Sequence, residues 1–92
     1  MIAIEQGDNK FFVGGDEENP LAEIIYRLSE DKQLVVEHTY VADELRGEGV
    51  AGKLVEKVVD YARGNGFKIR SECSYAKSKL EKTPEYQDVL LK

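Results

Sequence analysis

The chain is short of several residue types, and each shortage removes a class of chemistry. Of 92 residues, one is cysteine, one is histidine, two are proline and none is tryptophan. A lone cysteine, Cys73, excludes an intrachain disulfide and fits a reducing compartment, so a cytoplasmic location is expected. One histidine and one cysteine cannot supply the full ligand set of a typical zinc site, and no metal is expected. No stretch approaches the about 20 apolar residues of a membrane span, and the N-terminus lacks the apolar core of a signal peptide. Positive charge is also the minority: 13 lysines and arginines face 18 acids, for a net charge of −5. That balance argues against nucleic acid or an anionic membrane as the main partner. It mildly favours a cationic small molecule or basic peptide as a second ligand, although solubility alone accounts for it.

The length allows one domain, residues 1–92, and a monomer is expected. An apolar fraction of 41% and a charged fraction of 34% are ordinary for a soluble globular chain. The first half has period-two patterning. Ile2 to Gln6 reads as a strand, Gly7-Asp8-Asn9 as a turn, Lys10 to Gly14 as a second strand and Gly15 to Pro20 as an acidic loop. Leu21 to Leu28 and Leu34 to Val41 are the next strands, joined by polar Ser29-Glu30-Asp31-Lys32. Strict alternation puts Leu34, Val36, His38 and Tyr40 on one face, and Val35, Glu37, Thr39 and Val41 on the other. An antiparallel meander follows from this order.

The period then becomes helical. Ala51, Leu54, Val55, Val58 and Ala62 form one stripe, running to about Arg63, and Gly64-Asn65-Gly66 ends it. Phe67 to Cys73 reads as a strand with Phe67, Ile69, Ser71 and Cys73 on one face. A strand–helix–strand unit of this length implies a right-handed crossover and parallel pairing. Tyr75 to Lys82 is weakly helical, and Thr83-Pro84-Glu85 has the chemistry of a terminal helix start.

Between the Leu34–Val41 strand and the long helix lies Arg46-Gly47-Glu48-Gly49-Val50-Ala51-Gly52. A glycine-rich turn opening a helix gathers backbone N–H groups at the positive end of the helix dipole, which suits a phosphate or pyrophosphate. Its bland alternative is a helix entry that needs flexible residues. Gly47 to Gly52 also spells G-x-G-x-x-G, with Glu72 20 residues beyond Gly52, as in a dinucleotide-binding fingerprint. That fingerprint needs a tight turn directly after its strand, whereas Ala42 to Arg46 intervene here. A nucleotide-binding fragment preferring NAD is therefore the weakest reading.

Arg46-Gly47-x-Gly49-Val50-Ala51 resembles the acyl-CoA signature of the GNAT superfamily of N-acetyltransferases. With His38-Thr39-x-Val41, Glu44-Leu45, Leu54-Val55, Ala62-Arg63, Cys73-Ser74-Tyr75 and Pro84-Glu85-Tyr86, the chain is similar to its short YjdJ-type subgroup. Ser71 departs from that subgroup, which usually has proline there. The resemblance implies an α/β (α+β) minimal GNAT fold: a mixed twisted sheet, one central crossover helix and a small C-terminal helical element. It implies acetyl-CoA or CoA as co-substrate and an amine as acceptor. In such folds the acyl-CoA enters a gap between two parallel strands, here those ending at Val41 and Cys73. It would bond backbone near Tyr40 and Val41, with its pyrophosphate on Gly47, Glu48, Gly49, Val50, Ala51 and Gly52. Arg46 adds charge or pairs with Glu44 or Glu48, and Glu48 should point to solvent.

Cys73 is either a small buried hydrophobe or the catalytic thiol, which takes the acetyl group or protonates the departing CoA thiolate. His38 is either a satisfied core histidine or the general base, for the amine or for Cys73. If it acts, the two side chains should meet across adjacent strands. Tyr75 either packs a helix or donates a proton to the CoA thiolate at the cofactor site. Acetyl transfer to an amine is the leading reading; a non-catalytic acyl-CoA-binding module is the alternative.

Overall fold

The computed structural model describes residues 3–91, so Ile2, placed in the first strand above, lies outside them. Five strands run in sequence order across one sheet: β1 (Glu5–Gly7), β2 (Lys10–Val13), β3 (Ala22–Leu28), β4 (Gln33–Val41) and β5 (Lys68–Ser71). The first three pairings are antiparallel and β4–β5 is parallel, as the meander and crossover require. The crossover helix α1 (Val50–Asn65) joins them. It ends at Gly66, whose φ of 74° is a left-handed conformation that glycine adopts without steric cost. A second helix, α2 (Ser74–Lys82), follows β5.

The helical stripe of α1 meets one face of the sheet. Leu54, Val55, Val58, Val59 and Ala62 are buried against Ile24, Leu34, Val36 and Ile69. Ala76 and Leu80 of α2 join this core, so both helices cover the same face. Val59 completes the stripe. Ala51, expected within it, is only half-buried at the helix start.

Two expected elements are shorter. The strand read as Phe67–Cys73 stops at Ser71, and Cys73 is the residue that enters α2. The terminal helix at Thr83-Pro84-Glu85 is a single 3-10 turn, Pro84–Tyr86. The chain instead returns to the sheet: Ile69 N–H donates to Val89 O (2.6 Å) and Leu91 N–H to Ile69 O (2.9 Å). Pairing with the free edge of β5 and burial of Val89 prevail over the weak local helix signal.

The main correction concerns strand faces. β4 carries a bulge: Ile25 pairs with His38 and Tyr26 with Val36, leaving Glu37 as the extra residue. Side-chain parity inverts there. Leu34 and Val36 face the helices before it; Thr39 and Val41, opposite buried Ile24 and Ala22, face them after it. His38 and Tyr40 therefore lie on the opposite, uncovered face, and both are exposed.

Leu54 is fully buried where α1 meets the sheet. Leu54→Ala should cost roughly 2–5 kcal/mol of folding stability, read as a lower urea midpoint with an unchanged slope. A loss below about 1 kcal/mol would mean that this helix–sheet contact is not the centre of the core.

Candidate active site

β4 and β5 stay paired only from Gln33–Lys68 to Val36–Ser71. One further bond, Glu72 N–H to Val36 O at 2.8 Å, closes the ladder. Beyond it the strands part, and β4 continues to Val41 alone on that side. Ala42 N–H donates to Leu21 O at 2.7 Å, so alternation turns the backbone of Tyr40 and His38 toward β3. Thr39 and Val41 are left with their N–H and C=O groups facing the gap. The expected backbone contact at Val41 is available; at Tyr40 it is not, because Tyr40 pairs with Glu23 and its side chain is on the other face.

At the open end of the gap, a 3-10 turn, Asp43–Leu45, carries the chain to the glycines. Gly47 and Gly49 have φ of 86° and 73°, conformations that side chains disfavour, and a Cβ at either would meet nothing within 4 Å. Gly49 precedes α1 without a side-chain cap, and the helix's first ladder bond is Lys53 N–H to Gly49 O (3.1 Å). The N–H groups of Val50, Ala51 and Gly52 consequently have no partner within the helix. A cleft of about 220 Å3 opens here, lined by Val41, Leu45, Arg46, Gly47, Gly49, Val50, Ala51, Gly52 and Tyr75.

Most of the residues expected to hold a phosphate thus line one cleft. Glu48 is not among them and is exposed, its side chain turned to solvent as expected. Arg46 pairs with Asp43 at 3.2 Å, rather than with Glu44 or Glu48. Leu45 is a lining residue that the sequence reading passed over, since nothing in its immediate pattern distinguishes it from a packing leucine. Glu72, the acid of the G-x-G-x-x-G reading, binds Arg27 on the far face, and the antiparallel meander is not a dinucleotide-binding sheet.

At the root of the gap, the Cys73 thiol lies 3.4 Å from Thr39 Oγ1. Ser71 explains how Cys73 is held: its hydroxyl accepts Cys73 N–H at 3.1 Å and donates to Cys73 C=O at 2.8 Å. A proline at this position would have no hydroxyl with which to do this. Partial burial pushes the thiol's pKa up. The Thr39 hydroxyl and the N–H groups of Ala76, Tyr75 and Thr39 outweigh it, so the net shift is downward. The expected partnership with His38 is not formed: the bulge turns His38 to the face opposite Thr39, and Thr39 takes its place beside Cys73.

Comparison with known proteins follows this geometry. Residues 10–89 match the family model described as GCN5-related N-acetyl-transferase. The fold superposes on a GCN5-like candidate N-acetyltransferase from Staphylococcus aureus with a TM-score of 0.83 and 52% identity, covering 97% of this chain and 87% of that one. Nourseothricin acetyltransferase is more distant: TM-score 0.55, 28% identity, 67% of this chain and 38% of that one. The ribosomal-protein-alanine N-acetyltransferase from Brucella melitensis biovar Abortus 2308 shares the fold at TM-score 0.58 and 19% identity, over 90% of this chain and 63% of that one. No curated protein matches the chain.

Two substitutions test the local geometry. Gly52→Ala places a Cβ at ordinary contact distance, 3.6 Å, from Lys79 Cε and should stabilise α1 by about 0.5–1 kcal/mol. Gly49→Ala should instead cost roughly 1–2 kcal/mol, because it forces a side chain into the left-handed region. Equal urea midpoints for the two variants would contradict this description of the turn. The thiol adds a pH dependence. Its folded pKa is below its unfolded value, so its ionisation contributes stability that is full above the unfolded pKa and lost as pH falls through the folded one. The stability advantage of the wild type over Cys73→Ser should grow from about pH 7 to about pH 9, measured by urea unfolding.

Proposed function

The chain belongs to the GCN5-related N-acetyltransferase family, and on that premise we propose that it binds acetyl-CoA along the free edge of β4 and transfers the acetyl group to an amine by way of Cys73. The observation that carries this reading is the order of features along one line. The thiol sits at Thr39, the free backbone of Val41 comes next, and the unpartnered N–H groups of α1 follow. Thr39 and Val41 are roughly 7 Å apart along the strand. An extended, amide-bearing chain with phosphates at one end and a thioester at the other matches that sequence of donors and acceptors.

The residues present fit such a ligand. Val50, Ala51 and Gly52 N–H groups suit phosphate oxygens, and Gly47 and Gly49 leave the approach to the backbone clear. Val41 N–H and C=O and the Thr39 C=O can bond amides as a neighbouring strand would, the Thr39 N–H being turned to the thiol. Tyr75 also lines the cleft, its hydroxyl 3.8 Å from where a Gly52 Cβ would stand. Bound acetyl-CoA supplies a thioester, whose carbonyl carbon accepts a nucleophile.

The part assigned to Cys73 is that nucleophile. Its sulfur bonds the acetyl carbon, the bond from that carbon to the CoA sulfur breaks, and CoA leaves as a thiolate. A neutral amine then attacks acetyl-Cys73; the new C–N bond forms, the C–S bond breaks, and the Cys73 thiolate is restored. The amine's proton passes to solvent, since His38 lies across the sheet from the thiol. The thiol's lowered pKa supports this role, because the thiolate is the reactive form. Both helices occupy the other face of the sheet, so the face bearing His38 and Tyr40 is available for an acceptor to approach.

Calorimetry and intact-protein mass spectrometry test the two halves separately. Gly52→Leu should weaken CoA binding at least about tenfold in a folded protein, by filling the cleft. Cys73→Ala should keep CoA affinity within about twofold, and should lose both the acetyl adduct formed on incubation with acetyl-CoA and most amine acetylation. Unchanged affinity in Gly52→Leu would overturn the binding site. Wild-type turnover in Cys73→Ala would overturn the thiol's role in favour of direct attack by the amine.

A further inference from the structure

The root of the gap is tied together on the face opposite the helices. Arg27 of β3 reaches two carboxylates at once. Nη1 donates to Glu37 Oε2 at 2.5 Å, while Nη1 and Nη2 donate to Glu72 Oε1 and Oε2 at 3.3 and 3.2 Å. The second contact is the fork-on-fork geometry that fixes direction as well as distance. Glu37 is the extra residue of the bulge, and Glu72 follows the last residue of β5. One guanidinium therefore spans the point at which β4 and β5 part. Thr39 lies two residues beyond one of its partners and Cys73 one residue beyond the other.

We propose that Arg27 is a positioning residue for the acyl-transfer site: by holding Glu37 to Glu72, it fixes the root of the gap and hence the approach of Thr39 to Cys73. This rests on the assignment of Cys73 as the reacting thiol. Exposed ion pairs usually add little stability, and little is required of this one. Val35 is fully buried between its register partners Arg27 and Arg70, and the ladder bond from Glu72 to Val36 closes the sheet below. What the clamp supplies is the angle at which the two backbones leave that last bond. Arg70 is a weaker neighbour, with Nη1 3.7 Å from Glu72 Oε2 and no contact to Glu37 recorded among the described residues.

The groups around the thiol define the readout. Thr39 faces it from β4, Ser71 holds its backbone from β5, and the N–H groups of Tyr75 and Ala76 face it from α2. The charged and ionisable groups across the sheet are Arg27, Glu37, His38, Glu72 and Arg70. The experiment is the pH profile of Cys73 alkylation by iodoacetamide without ligand, together with the CoA dissociation constant. Arg27→Met, which keeps an apolar stem over Val35, should move the profile up by about one pH unit while CoA affinity stays within about twofold. Arg27→Lys keeps the charge but cannot fork to both acids, and should produce at least half of that shift. Arg70→Met removes a cation near Glu72 but leaves the clamp, and should move nothing. If Arg27→Met does not fold, Glu72→Gln and Glu37→Gln each cut one arm and should each give part of the shift. Wild-type profiles in Arg27→Lys and both glutamine variants would overturn the clamp. An equal shift in Arg70→Met would overturn it too, as simple charge. Failure of the wild type to bind CoA would instead count against the acyl-CoA cleft, since the alkylation profile is read without ligand.

Discussion

The neighbour of the thiol and the free backbone of the gap both depend on one extra residue in one strand. Without the bulge at Glu37, β4 would keep its alternation to the end, and His38 and Tyr40 would point into the helices. With it, Thr39 and Val41 face the helix side and present free backbone to the gap. The bulge also coincides with the end of the β4–β5 ladder. A local irregularity in an antiparallel pairing thus stands where the adjacent parallel pairing ends. Such bulges commonly re-aim side chains beside active sites, and here both the thiol's neighbour and the exposed histidine follow from it.

The opening has two chemically different ends. At the glycine turn, positive charge comes from the uncapped backbone of the helix start and from Lys79, whose Nζ lies 3.8 Å from where a Gly52 Cβ would stand, while Arg46 is paired with Asp43. At the other end, the thiol's environment comes from a second helix start together with the Thr39 hydroxyl. Two helix N-termini thus face two parts of one gap, one open enough for a large anion and one suited to a single thiolate.

Much of this was legible in the sequence because the relevant signals are local. The helical stripe from Leu54 to Ala62, the turn at Gly64-Asn65-Gly66 and the glycine-rich entry to α1 all depend on neighbours within a few residues. The crossover and parallel pairing follow from element order. The lost partnership of His38 and Cys73 had a different origin. Alternation is a reliable rule only while register is unbroken, and Glu37 resembles any outward-facing strand residue in sequence. The terminal helix failed for a related reason: Thr83-Pro84-Glu85 is a sound start, but the edge of β5 offered Val89 and Leu91 backbone partners that no local window reveals. Ser71, which stood out only as a departure from a related subgroup, acquires a role once its hydroxyl is seen bridging both backbone groups of Cys73.

The central claim is that a single ligand spans the gap from the glycine turn to the thiol. Titration of the 15N-labelled protein with CoA, followed amide by amide, tests it most directly. The account predicts that Val50, Ala51 and Gly52 shift together with Thr39, Val41, Tyr75 and Ala76, at one common dissociation constant, while amides of β1 and β2 stay still. Shifts confined to the glycine turn, or centred on the outer edge of β5 near Lys77 and Leu91, would contradict it.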